Sequence, residues 1–76
     1  MKPANVIIYL ESKATEIAKK KYKKCELFRS TIEIFDDNID KLILFAEENE
    51  INDEHYRLSL IIWENKVIAT FDYKLK

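Results

Sequence analysis

The clearest pattern in the chain is a strict alternation near its C-terminus. Tyr56, Leu58, Leu60 and Ile62 alternate with mostly polar neighbours, and Val67, Ala69, Phe71, Tyr73 and Leu75 do the same. A period of two marks a pair of strands with one buried face. The stretch around Glu64-Asn65-Lys66 joins them, where Asn tolerates the positive φ of a tight turn. A turn at Asn65-Lys66 sets Ile62 opposite Ala69, Leu60 opposite Phe71, Leu58 opposite Tyr73 and Tyr56 opposite Leu75. Moving the turn back to Glu64-Asn65 keeps the same faces. On the other face Arg57, Ser59, Asp72 and Lys74 read as wet, while Ile61, Trp63 and Ile68 cluster near the turn with Thr70 beside them.

The N-terminal third follows a different period. At 100° per residue, Val6, Ile7, Leu10, Ala14, Ile17, Ala18 and Tyr22 share an arc of about 160°, which predicts an amphipathic helix over 4–24. A short strand over Asn5–Leu10 followed by a helix capped by Ser12 is the alternative, supported by the β-branched run Val6-Ile7-Ile8. Residues 27–35 carry both patterns. Phe28, Ser30, Ile32 and Ile34 share a face in a strand, whereas Phe28, Ile32, Phe35, Ile39, Leu42 and Ala46 keep a helical spacing. Asp36-Asp37-Asn38 is turn and N-cap chemistry, which favours a strand ending there. A second helix then runs from about 38 to 50 and buries Ile39, Leu42, Ile43 and Ala46. The expectation is a single α+β domain over 1–76, in the order α-β-α-β-β. Two helices pack on one face of a small, mainly antiparallel, three-stranded sheet that ends in the hairpin. A two-helix hairpin beside a β-hairpin, and a β-α-β-α-β-β order, are the other arrangements.

Composition narrows the possibilities. Hydrophobic residues make up 47% of the 76 residues, too many for a disordered chain. A core of this size is near the lower limit for independent folding, and self-association is one remedy. The chain has no glycine, so Gly-rich phosphate and dinucleotide loops are excluded. One cysteine, Cys25, gives no internal disulfide, and one His, His55, beside one Cys makes a zinc site improbable. No transmembrane run or signal-peptide core is visible, and the expected compartment is the cytoplasm.

Charge is sorted by position. Residues 1–30 hold eight Lys/Arg against three Asp/Glu, whereas 31–54 hold one against nine. Lys19, Lys20, Lys21, Lys23 and Lys24 complement the end of the first helix. They are also candidate phosphate contacts, with Tyr22 able to stack on a base. Only two arginines, Arg29 and Arg57, and a net charge of −1 argue against a dedicated nucleic-acid module. Asp36, Asp37 and Asp40 are candidates for a partner-facing acidic surface; with Asn38 they are oxygen-rich but lack the Gly and terminal Glu of an EF-hand. No recognisable nucleophile–base spacing surrounds His55.

The function these observations favour is a small non-enzymatic protein-binding module without a cofactor. It would be an inhibitor, an immunity-type protein or an accessory protein, of the kind that phages and mobile elements encode, and would act by occluding a partner's surface. Contact would fall on Ile61, Trp63 and Ile68, with Asp36, Asp37 and Asp40 orienting the encounter. A nucleic-acid binder using the lysine run, and a homodimer or larger homo-oligomer, are the alternatives.

Overall fold

A computed structural model of the chain describes residues 3–36, 44–62 and 64–75. Helix α1 (Pro3–Lys21) is followed by four strands: β1 (Cys25–Ile34), β2 (Leu44–Asn52), β3 (His55–Ile62) and β4 (Val67–Leu75). They form one antiparallel sheet in the order β1-β4-β3-β2. Strands β2, β3 and β4 are a meander, and β1 returns beside β4, a Greek-key order read from the C-terminal end. The α+β character stands, but one helix on a four-stranded sheet replaces the expected two helices on three strands. The Asn5–Leu10 strand alternative is also overturned, because those residues are helical.

The helix and the sheet match in size. Nineteen residues at 1.5 Å each give about 28 Å, close to the length of an eight- to ten-residue strand. A helix about 10 Å across covers two to three strands spaced about 4.8 Å apart. Accordingly the body of α1 packs on β1, β3 and β4, and only its last residue, Lys21, reaches β2 through its side chain. The fully buried apolar side chains come from α1, β3 and β4: Val6, Leu10, Ala14 and Ala18 face Leu58, Leu60, Phe71 and their strand neighbours. The i, i+4 repeat places these four helix residues on one ridge. Ala14 and Ala18 let the backbone approach the sheet closely, and Thr15 Oγ1 lies 3.4 Å from the Tyr73 hydroxyl. Ala14→Leu is therefore expected to overpack this seam and to lower the melting temperature by roughly 5–20 °C. Ala4→Leu, on the exposed side of the same helix, should leave it unchanged; a calorimetric scan of both variants checks this.

The second helix does not form. Residues 44–52 are strand β2, paired with β3 from Leu44↔Ile62 to Asn52↔His55. The expected burial of Ala46 fails with it, since Ala46 is exposed; Ile39, Leu42 and Ile43 lie outside the described residues. The physical reason is the open edge of β3. That strand carries the apolar inner face, and its outer N–H and C=O groups need partners. Pairing nine residues outweighs the helix preference of Ala46-Glu47-Glu48, worth only a few tenths of a kcal/mol per residue.

The hairpin register also differs from the Asn65-Lys66 reading. Ile62 faces Val67, Leu60 faces Ala69, Leu58 faces Phe71 and Tyr56 faces Tyr73. This is the register of a turn centred on Glu64-Asn65, both of which adopt positive φ (52° and 61°). The shift is two residues, so every side chain keeps its face. Lys66 N–H donates to the Ile62 carbonyl and Phe35 N–H to the Lys66 carbonyl, which fastens the end of β1 to the turn.

Candidate interaction surface

The face of the sheet opposite α1 is covered by no described element. Strand register arranges its side chains in rows. The row nearest the β3–β4 turn reads Phe45, Ile61, Ile68 and Glu33 across β2, β3, β4 and β1. The next reads Glu47, Ser59, Thr70 and Thr31, and the third Asn49, Arg57, Asp72 and Arg29. Ile61 and Ile68 are half-buried by their neighbours. Phe35 and Phe45 remain 64% and 58% exposed. The turn end is thus apolar with an acidic rim of Glu33 and Glu47.

The open end is polar and is shaped by a β-bulge. Leu27 pairs with Tyr73 and Arg29 with Asp72, which leaves Phe28 as the extra residue of β1. Such an insertion places two consecutive side chains on one face. The Phe28 ring packs edge-on against His55 at 5.5 Å, and the Arg29 guanidinium lies 5.7 Å from its centroid. This corrects the expectation that Phe28 shares a face with Ser30, Ile32 and Ile34. Past the bulge those three point to the core side, opposite Phe71, Ala69 and Val67.

Asp72 is a second correction at this end. It reads as wet in the alternating pattern, yet it is only 5% exposed. Arg57 holds it with two hydrogen bonds, Nε to Oδ1 at 2.7 Å and Nη2 to Oδ2 at 3.3 Å. This fork geometry is the strong form of the pair, and the carboxylate raises the Arg57 pKa above its ordinary value. Nδ1 of His55 lies 3.0 Å from Asn52 Oδ1, which fixes the ring against Phe28.

The basic and acidic blocks meet on the other side of the sheet. Lys21 Nζ lies 3.2 Å from Glu50 Oε1, and the Tyr22 hydroxyl donates to the same oxygen at 2.5 Å. Tyr56 donates to Glu48, its ring lies tilted against that of Tyr22 with centroids 4.9 Å apart, and Lys21 Nζ sits 5.6 Å from the Tyr56 centroid. The hydrogen bond to Glu50 pushes the Tyr22 pKa up to about 12 and lowers that of Glu50. Burial, then the bond to Glu48, pushes Tyr56 up; burial does the same to Tyr73. Part of the charge sorting is therefore spent inside the molecule. Glu47, Glu48 and Glu50 belong to the edge strand β2, within the stretch expected as a second helix.

The sequence candidates are dispersed by this arrangement. Ile61 and Ile68 are brought together as cross-strand partners. Trp63, Asp37 and Asp40 lie outside the described residues. Asp36 pairs with Lys66 at 3.4 Å beside the turn. Of the lysine run, Lys21 is engaged by Glu50 and Lys20 lies 3.9 Å from Glu16, whereas Lys19, Lys23 and Lys24 have no ion pair among the described residues. Cys25 is half-buried at the start of β1 against the core. No group of three or more metal-ligating side chains occurs among the described residues, and no helix among them is long and apolar enough to cross a membrane. Phe28, Phe35, Phe45 and Arg29 were not candidates from sequence. Phe45 lay inside the expected helix, and the bulge beneath Phe28 leaves no mark in the pattern. Comparison of the chain with protein-family models, with curated proteins and with solved structures finds no match.

Proposed function

We propose that the protein is a cytoplasmic, non-enzymatic protein-binding module that occludes a partner's surface with the turn end of its open sheet face. The observation that carries the reading is the placement of its phenylalanines. Of four in the chain, only Phe71 is buried; Phe28, Phe35 and Phe45 are 50–64% exposed. Phe45 stands opposite Ile61, itself paired with Ile68, and Phe35 is held beside the turn at the same end; a monomer tends to avoid an exposed apolar patch of this kind. Aromatic residues at a contact supply large desolvated area. The acidic rim of Glu33 and Glu47 suits a partner whose contact is ringed by basic groups.

Edge-to-edge pairing is a poorer route to association. Both edge strands carry a bulge, at Phe28 in β1 and at Ile51 in β2. Strand β2 also presents Glu47, Glu48 and Glu50 along its length. Bulges and repeated charges are the usual guards of an exposed edge.

The test is capture from nuclease-treated host lysate with the wild-type protein, Phe45→Ala and Ile68→Asp side by side. A protein retained by the wild type and reduced about tenfold or more by both variants, with melting of Phe45→Ala unchanged, is the expected result. A retained set that does not distinguish the wild type from the variants overturns the reading. Sedimentation of the same three proteins identifies the case in which the lost partner is a second copy.

A further inference from the structure

We propose that the opposite end of the open face, built on the β1 bulge, is a binding site for a short single strand of nucleic acid. This surface is separate from the turn end, so neither proposal depends on the other. The bulge puts Phe28 and Arg29 side by side on one face of the sheet. His55 packs against the Phe28 ring in a T-shaped pair and is itself held by Asn52. The residue is half exposed with the Arg29 guanidinium over its ring, so a base would stack on the side of the ring that the guanidinium leaves open. Base–aromatic stacking is the contact that makes single-strand binding tolerant of sequence, and an arginine beside the ring adds to it.

The phosphates have partners at the same end. Lys23 and Lys24 run directly into β1 and have no ion pair among the described residues. Lys74 stands opposite Glu26 on β4, and Arg57 is fixed by Asp72 one strand further in. With Arg57 and Asp72 paired, Lys23, Lys24, Arg29 and Lys74 are the cations left at this end, and Glu26 is the acid among them. Asp53 and Glu54, on the β2–β3 turn, are the other acids of this end. They bound the site on the β2 side and leave the β1 edge as the track for the strand. A duplex does not fit this chemistry, since its bases present no free face to Phe28. Arginine reading of base edges is not invoked: stacking on one ring and contact with a few phosphates give modest, sequence-tolerant binding.

The lysine run alone makes a different prediction. If Lys19, Lys20, Lys23 and Lys24 at the helix end were the whole of the site, binding would be pure counterion release, indifferent to Phe28. The experiment separates the two. Fluorescence anisotropy of a labelled oligo-dT of about ten nucleotides, a length within the usual single-strand site sizes, is followed against the full chain at low salt and again at higher salt. Four phosphate contacts on a single strand predict a loss of about 50-fold in affinity between 50 and 200 mM salt. Phe28→Ala is expected to weaken binding at low salt by roughly tenfold, Phe28→Tyr to retain it, and Lys23→Glu/Lys24→Glu to flatten the salt dependence. Phe28 is surface-exposed, and an unchanged far-ultraviolet spectrum and melting curve of Phe28→Ala confirm that folding is not the cause. Absence of binding at low salt overturns the proposal. So does binding that Phe28→Ala leaves intact, or equal affinity for a duplex of the same length.

Discussion

Phe71→Ala is expected to leave the protein largely unfolded at room temperature. Phe71 lies in the middle of β4, fully buried, opposite Leu58 on β3 and beneath α1. Deleting a buried phenyl ring costs about 3–5 kcal/mol, because the lost transfer energy is joined by a cavity that the neighbours only partly fill. A domain of this size has roughly 4–11 kcal/mol in total at about 0.05–0.15 kcal/mol per residue. A core restricted to one side of the sheet places it toward the lower part of that range. The same deletion on the other face is the control. Phe45→Ala removes an identical ring from an exposed position, where surface substitutions usually stay within about 0.5 kcal/mol. Urea titrations followed by circular dichroism should thus separate the two variants by most of the transition. Equal midpoints would contradict the burial of Phe71 against the exposure of Phe45, and a lower midpoint for Phe45→Ala would mean that the two faces are the other way round.

That contrast between two phenylalanines also marks what the sequence could and could not reveal. The β3–β4 hairpin was legible because its inner face is wholly apolar and buried, so period two is imposed on every second residue. Helix α1 was legible for the same reason with a different period: Val6, Leu10, Ala14 and Ala18 all lie on the buried ridge. Strand β2 was not legible because burial does not enforce its alternation. Its inner positions run Leu44, Ala46, Glu48 and Glu50, opposite Ile62, Leu60, Leu58 and Tyr56. Two of those four are carboxylates serving tyrosine hydroxyls. What remains, Leu44-Phe45-Ala46 followed by Glu47 and Glu48, scores as helix by propensity and spacing alike. Hydrogen-bond demand at the edge of β3 decides the matter, and no local window contains it.

The open face was half legible for a related reason. Ile61 and Ile68 stood out because they interrupt the wet side of a readable hairpin. Phe28 and Phe45 did not, because each sits where an unreadable event occurs. One is a single-residue bulge that reverses the faces of β1, and the other is a strand mistaken for a helix. Arg57 and Asp72 were read as solvated charges, yet pairing across two central strands shields the carboxylate almost completely. The charge blocks were visible from the outset. Their contact through Lys21 and Glu50 required the Greek-key return, which brings the helix end and β2 to the same end of the sheet.

That contact leads to the second large effect, a steep loss of stability in alkali. Tyr22, Tyr56 and Tyr73 form a chain of rings under the end of α1, with centroids 4.9 and 6.2 Å apart. All three hydroxyls ionise above the ordinary tyrosine value in the folded protein. For Tyr22 the dominant cause is the hydrogen bond to Glu50; for Tyr56 and Tyr73 it is burial. In the unfolded chain each ionises near pH 10. A group whose folded pKa is raised contributes its full stabilisation below the unfolded value, and loses it as pH rises toward the folded one. The window therefore opens near pH 10 and, for Tyr22, extends to about 12. Glu50 works at the opposite limit: its pKa is lowered by the same bond, so its contribution is present above about pH 4.3 and lost on acidification. Melting temperature is expected to be nearly flat between these limits and to fall sharply above pH 10, with tyrosinate absorbance rising in step with unfolding. Tyr22→Phe removes the donor to Glu50 while keeping the ring against Tyr56, so it should lower stability at neutral pH and soften the alkaline fall. Tyrosinate absorbance that develops near pH 10 for all the tyrosines, with the fold intact by circular dichroism, would show that the hydroxyls of this cluster are not held by Glu48, Glu50 and the core.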